Sequence, residues 1–564
     1  MAVTPSRGAP AGIALEWWLA GGLLVLVQAG LIAALFTPAP HPGGDNFGYL
    51  TLGYALSQGL GYTELWVPGA PPHTKYPPVF PGLLALLILG GAASWGAFKV
   101  VTGLLVSLAG ILVFVWAGGR RGAVAGLAVA LLTLLSAGWL EASRWILSEP
   151  LFLVFAVLAL WAGDRALATG PESAESGDSG TDGPPGGTGW VVVAAVAAIL
   201  AFFTRSAGLP LVLALVGALF LARRWRPGVL IGGGAALLGG LWFLRVRGDA
   251  EGAYQSEFWM ANPYDPALGT IGPVGLVGRA VSNLVTYTGR VIPGEWWGDA
   301  GGLLIALGVV LVGLALVGWV LRLRRSIGVA ELFLPLYAGM ILIWPEVWAG
   351  DRFVLVLYPI LLLYAGEAVV WLTSRSDRVW LPVATVALGA LILGGPAVPG
   401  ALEKVDRASA CRTVGAADPF RCLGGPMMEF REAAAWAGTH LPEGAIVLNR
   451  KPRIFHGLGG TVGHTFPFTR DPDAFLREAD ELGARYLLVD AVDGISIQYL
   501  PPLLGAAPGA FCWVVGWGEV TDLLGILPPG ERGGEDILEC PPEYGPVGAG
   551  AVPVGDRHRI PLLR

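Results

Sequence analysis

Long apolar runs decide what this chain can become. Residues 15–36, 100–116, 190–203, 228–244, 301–320 and 353–372 are almost wholly hydrophobic. Crossing a bilayer as a helix takes about 20 apolar residues, and backbone polar groups in lipid must be satisfied within the segment. Helices meet both demands. Charged residues make up 14% of the chain and hydrophobic ones 54%, against about 25% charged in a water-soluble globule. The sequence therefore excludes a soluble fold and predicts a mainly α, polytopic transmembrane bundle. The formal net charge of −6 argues against a nucleic-acid partner.

Basic residues at helix ends set orientation, because Lys and Arg are retained on the cytoplasmic side. Arg120-Arg121, Arg223-Arg224-Trp225-Arg226, Arg322-Leu323-Arg324-Arg325 and Arg375/Arg378 all fall in short connections. Placing these four inside gives about eleven spans: 13–37, 98–117, 122–138, 147–163, 190–204, 207–222, 228–244, 301–321, 331–346, 353–372 and 379–396. The first run follows Arg7 and Glu16 and lacks a small-x-small cleavage site, so it reads as a span and not a signal peptide. The N-terminus is then cytoplasmic. Residues 81–91 are apolar but too short to span and are expected on the outer surface. A membrane domain over 1–399 would carry an outer loop at 38–79, a Gly/Ser/Pro/acid-rich disordered cytoplasmic linker at 164–189 and an outer loop at 245–300.

Residues 400–564 read as a soluble extracytoplasmic α/β domain, with helices at 429–439 and 472–482 and strands at 445–449 and 486–490. All four cysteines lie here. Cys411–Cys422 and Cys512–Cys540 are the simplest structural bridges for an oxidising compartment. No residues show metal-ligand spacing, so no metal is assigned, and His456 and His464 read as ordinary histidines. In the loop 245–300, Tyr254, Trp259, Tyr264, Trp296 and Trp297 read as interfacial aromatics, with a sugar platform as the alternative.

Ionisable residues at the outer helix ends carry the functional signal: Asp45, Lys75, Arg144, Glu149, Arg205, Arg245, Glu346, Asp351 and Arg352. Charge near membrane depth is costly and marks functional cavities, and grouped cations suit an anionic lipid phosphate and its departure. Asp45, first acid after span one, can serve as the base that takes a proton from an acceptor hydroxyl. Bland alternatives stand beside these readings. Asp45 could cap a helix over 46–58, Arg144 could pair with Glu141 or Glu149, and Arg352 with Asp351 or Glu346.

Several of these residues sit in elements that resemble the C-type glycosyltransferases, which include protein O-mannosyltransferases and the ArnT-like lipid A aminoarabinose transferases. The shared features are Asp45 after the first span, then Lys75-Tyr76-Pro77-Pro78-Val79-Phe80-Pro81. Arg144 with Ser148-Glu149-Pro150-Leu151, Thr204-Arg205 with Gly208, and Arg352-Phe353 with Pro359 complete the pattern. The chain departs from it at Asn46, where many relatives carry a second acid, and at Tyr76, which separates Lys75 from the diproline. The resemblance implies a multi-pass protein of the bacterial cytoplasmic membrane that takes its sugar from a polyprenyl-phosphate donor. The acceptor would be a glycan, lipid or protein, and the transfer would invert the anomeric centre. By the same resemblance Asp45 is the base, and Lys75 with an outer arginine (Arg144, Arg205 or Arg352) binds the carrier phosphate in an outer cavity capped by the C-terminal domain. Two other functions stay open. A lipid-linked sugar flippase would show repeated halves and central charges, and an oligosaccharide ligase or polymerase would place its essential arginines in a late loop.

Overall fold

The apolar runs of this chain become helices in the computed structural model, which describes residues 15–168, 187–246, 254–297, 302–375, 378 and 380–545. In the first half these are α1 (Leu15–Leu35), α2 (Gly44–Ser57), α3 (Val79–Leu89), α4 (Trp95–Arg121), α5 (Ala123–Leu134), α6 (Ala137–Ala142), α7 (Glu149–Ala168), α8 (Gly187–Thr204), α9 (Leu209–Leu221) and α10 (Trp225–Val246). After them come α11 (Tyr254–Trp259), α12 (Pro273–Thr286), α13 (Ile292–Trp297), α14 (Gly302–Leu323), α15 (Val329–Leu342), α16 (Asp351–Val354), α17 (Tyr358–Thr373) and α18 (Leu381–Val414). Among the described residues seven helices are long and apolar enough to cross a bilayer: α1, α4, α7, α8, α10, α14 and α18. The other four expected spans correspond to the shorter apolar helices α5, α9, α15 and α17. The protein is a membrane protein with one continuous bundle core, from Leu24 and Val113 to Phe333 and Tyr364.

Close helix approach needs small residues where side chains would collide. A Cβ on Gly318 of α14 would run into the Tyr364 carbonyl of α17, so this contact depends on glycine. At one end of the bundle the basic turns meet buried acids. Arg120 binds Asp164 at 2.6 Å and Glu331 at 3.0 Å, Tyr364 donates to Glu331 at 2.8 Å, and Arg121 binds Glu367 at 3.1 Å. Asp164 is therefore a helical ion-pair partner and not the start of a linker. The expected linker shrinks to 169–186, outside the described residues, because α7 runs on to Ala168 and α8 begins at Gly187.

The expected loop at 245–300 is largely helical where described. On α12 the exposed Val274, Val277, Val281 and Val285 share one face, the pattern of a helix lying in the membrane interface. Trp296 is not interfacial: it is buried against Tyr358, and its Nε1 donates to the Leu132 carbonyl at 3.1 Å.

α18 continues unbroken past residue 400 to Val414, where Cys411–Cys422 ties its end to the turn Pro419–Leu423. Beyond it lie α19 (Gly425–His440), β1 (Ile446–Asn449), α20 (Pro452–Gly459), β2 (Val462–Thr465), α21 (Pro472–Glu481), β3 (Tyr486–Val489), α22 (Gly494–Ala506), β4 (Phe511–Trp517), β5 (Thr521–Ile526) and β6 (Leu538–Glu539). The sheet order is β2-β1-β3-β5-β4-β6. β1 runs parallel to β2 and β3, β5 is antiparallel to β3 and β4, and β6 is parallel to β4. Successive strand residues point to opposite faces, so Val447, Tyr486 and Leu523 pack under α19 and α20 while Leu448, Leu487 and Leu524 pack under α21 and α22. Cys512–Cys540 staples β4 to the chain just after β6. The first of these two cores also includes Phe47, Tyr49, Trp66, Tyr76 and Phe80. The C-terminal unit and the loop after α1 thus fold around common apolar residues.

Candidate functional site

A cavity of about 1770 Å³ opens where the bundle, the loop after α1 and the C-terminal sheet meet. Asp45 lines it from the second position of α2. The helix is capped by Gly43, which makes no side-chain cap bond, so the N-cap reading of Asp45 is replaced. Its carboxylate turns inward, where Tyr76 donates to Oδ1 at 2.7 Å, Arg352 donates to Oδ2 at 3.1 Å, and Arg453 lies 3.4 Å from Oδ1. Burial alone would raise its pKa. Arg352, Arg453 and the Tyr76 hydrogen bond win, holding the carboxyl well below the usual range.

The network continues into the bundle. Arg352 binds Glu149 at 2.5 Å through Nε, and Arg205 binds the same carboxylate oxygen at 2.6 Å. Arg205 also donates to Ser148 Oγ at 3.2 Å, which pairs with the Tyr49 hydroxyl at 2.9 Å. Arg352 therefore bonds to neither of the neighbours expected for it through its guanidinium; it reaches across the bundle to Glu149 and Asp45. Local sequence explains these positions. A short 3-10 turn at Ser206–Gly208 breaks α8 from α9 directly after Arg205. Glu149 opens α7 ahead of Pro150, which is tolerated in a first helical turn.

Lys75 also lines the cavity, with its Nζ 2.9 Å from Glu257 and 5.7 Å from the centre of the Trp348 ring. Its segment is pinned by His73, which accepts from Tyr76 N–H at 2.7 Å, and by Arg245, which donates to the His73 carbonyl at 2.7 Å. Arg144 stands apart. It does not line the cavity; it joins Lys404 in holding Glu141, at 2.6 Å each. Of the six expected site residues, Asp45, Lys75, Arg205 and Arg352 line the cavity, and Glu149 is joined to it through its ion pairs with Arg205 and Arg352.

Asn46 has a separate task. Its Oδ1 accepts from Ile146 N–H at 2.9 Å and its Nδ2 lies 3.1 Å from His41 Nδ1. Burial and the nearby Arg352 lower the His41 pKa to about 4, so the ring is neutral and accepts. A carboxylate at position 46 could not donate to it.

Sequence reasoning missed Arg453. From the first turn of α20 its guanidinium lies between the Trp66 and Tyr76 rings, 5.2 and 5.1 Å from their centres, and its stem crosses Gly48, where a Cβ would come within 3.0 Å. The run Arg450-Lys451-Pro452-Arg453 was the one available signal, and its density of cations matches that of the runs at 223–226 and 322–325, so it did not stand out. Tyr264 likewise lines the cavity.

No protein-family model matches the sequence, and no curated protein is similar to it at sequence level. Solved structures are similar in fold. The oligosaccharyltransferase of Archaeoglobus fulgidus in its apo form superposes with a TM-score of 0.54 at 14% identity, covering 90% of this chain and 74% of that one. The chain has the GT-C fold. Another structure of the same archaeal protein, AglB, holds an inhibitory peptide and a dolichol-phosphate and matches with a TM-score of 0.51 at 13% identity, over the same shares of the two chains. ArnT from Cupriavidus metallidurans in the apo state superposes at 0.49 with 14% identity, over 93% of this chain and all of that one. In this GT-C protein the cavity lies at the bundle end opposite the Arg120–Glu331 cluster.

Proposed function

We propose that this protein transfers a sugar from a polyprenyl-phosphate carrier to a hydroxyl acceptor at the outer face of a bacterial cytoplasmic membrane, with inversion. The observation that carries the reading is the convergence of Asp45 with Arg205, Arg352 and Lys75 on one cavity. The archaeal protein of the same fold has been captured with a dolichol-phosphate, which supports a lipid phosphate as the donor's leaving group. Without ligand, each cation is matched by a carboxylate: Arg352 by Asp45 and Glu149, Arg205 by Glu149, and Lys75 by Glu257. A phosphate entering this set competes for the cations.

In the proposed step the acceptor hydroxyl gives its proton to Asp45 and its oxygen attacks the anomeric carbon. The bond from that carbon to the phosphate oxygen breaks, and the polyprenyl phosphate leaves with the electron pair. Arginines and Lys75 stabilise the charge that develops. A carboxylate gripped by two arginines is a poor base. Capture of Arg352 by the donor phosphate weakens that grip, so donor binding itself raises the basicity of Asp45. Asp45→Asn in a proteoliposome assay with lipid-linked sugar should slow transfer by about 10²–10⁴-fold. Undiminished turnover would remove Asp45 from the chemistry.

A further inference from the structure

A pocket for one small ligand occupies about 300–1,000 Å³; this one is about 1770 Å³. One arm of its lining comes from the C-terminal sheet and its connections, with Arg450, Lys451, Thr465 and Phe468 among the residues. In open α/β sheets ligands bind at the carboxyl ends of parallel strands, where successive connections take opposite faces. β1 and β3 form such a place: β1 leaves through α20 on one face and β3 through α22 on the other. Arg450 and Lys451 follow the end of β1 and line the cavity, and Asp493 just past β3 holds them at 2.9 and 3.0 Å. Packed against them are Tyr264 and Phe468, with the Arg450 guanidinium 5.6 Å from the centre of each ring and the two rings 6.1 Å apart. Tyr264 is fixed in turn, its hydroxyl accepting from Trp348 Nε1 at 3.2 Å and its carbonyl from the Tyr499 hydroxyl at 2.7 Å.

From this we infer that the arm whose wall carries Tyr264, Phe468 and Arg450 binds the acceptor, and that the acceptor is a neutral glycan chain. This rests on the transferase reading above and names its second substrate. Flat apolar rings beside anchored hydrogen-bonding groups match the two surfaces of a sugar, its C–H face and its hydroxyl rim. Asp493 offsets the two cations, and Glu478 and Glu481 line the outer rim beside Arg477, so the arm has no excess positive charge to hold a polyanion. An extended peptide would most simply add to the free edge of β2. There the Gly463 N–H already donates to the Trp66 carbonyl at 2.9 Å.

The test is saturation-transfer NMR on the full-length protein in detergent, with neutral hexose and pentose oligosaccharides of four to six units and, separately, a Ser/Thr-rich peptide. The oligosaccharide should show saturation that falls at least tenfold in Phe468→Ala and in Thr465→Trp. The latter places a large ring in the arm from an exposed position and spares the core. Saturation of the peptide that the same substitutions abolish would overturn the glycan assignment. Absence of oligosaccharide binding, or binding indifferent to both substitutions, would overturn the site. No turnover is measured, so the result is independent of the Asp45→Asn assay.

Discussion

At the scale of single residues, Asp45 and Arg453 are 408 positions apart and share a hydrogen bond of 3.4 Å. In the proposed mechanism Arg453 is a positioning residue: it keeps the carboxylate ionised and aimed while Arg352 changes partners. An adjacent arginine lowers an aspartate pKa by about 1–3 units. Arg453→Gln should therefore move the acid limb of the kcat/KM profile upward by about one unit, and Arg453→Lys should restore part of the shift. A substitution that lowers activity without moving the limb would reduce Arg453 to a packing role. The sign for stability is the same. Because the folded pKa of Asp45 is depressed, its ion pairs stabilise the fold above about pH 4 and lose that effect as pH falls. Asp45 itself was legible in the sequence as the first acid after a span, and so were Arg205 and Arg352, arginines at helix ends where topology disfavours them. Arg453 was not: an exposed basic run in a soluble domain looks the same whether it meets water or a carboxylate.

At the scale of elements, legibility followed clear apolar patterning. β1, β3, α19 and α21 sit close to where the sequence places them, because the two strands are short runs of consecutive apolar residues and each helix buries one apolar stripe. β2 is four residues long with a central glycine, and β4 breaks its alternation at an irregularity between Trp513 and Val515, so neither leaves a readable pattern. Asp490, at the end of β3, is an element-level consequence of burial. It is 4% exposed, its Oδ1 accepts from Val492 N–H and Ser496, and its Oδ2 has no partner. Burial pushes its pKa up to about 6. A carboxyl whose folded pKa is raised favours folding while protonated, so stability declines as pH climbs from about 4 through about 6. Asp490→Asn should raise the Tm at pH 8, by at most about 3 kcal/mol in free energy, and the gain should vanish at about pH 3. The staples differ too. Cys512–Cys540 closes 28 residues and Cys411–Cys422 closes 11. The chain-entropy relation then makes loss of the former about 0.8 kcal/mol more costly, measurable by denaturation of the paired Cys→Ala variants.

At the scale of the molecule, the charge pattern anticipated that the basic turns Arg120-Arg121 and Arg322 would gather at one end of the bundle and the site residues at the other. If the first end is cytoplasmic, a membrane-impermeant maleimide should label Thr465→Cys in intact cells and reach Ser326→Cys only in inverted vesicles. The reverse pattern would turn the proposed orientation over. What no linear reading could supply was the joint core of the loop after α1 and the C-terminal unit, since Phe47 and Phe430 become neighbours only after every intervening helix is in place.

That joint core imposes a schedule on biosynthesis. The catalytic candidate leaves the ribosome early, yet the last of its two guanidinium partners follows 408 residues later, roughly 20–80 s at about 5–20 residues per second. Throughout that interval Phe47, Trp66, Tyr76 and Phe80 wait for the C-terminal residues that complete their core. A chain terminated before residue 453 would keep Arg352 beside Asp45 but lack the second arginine that grips it.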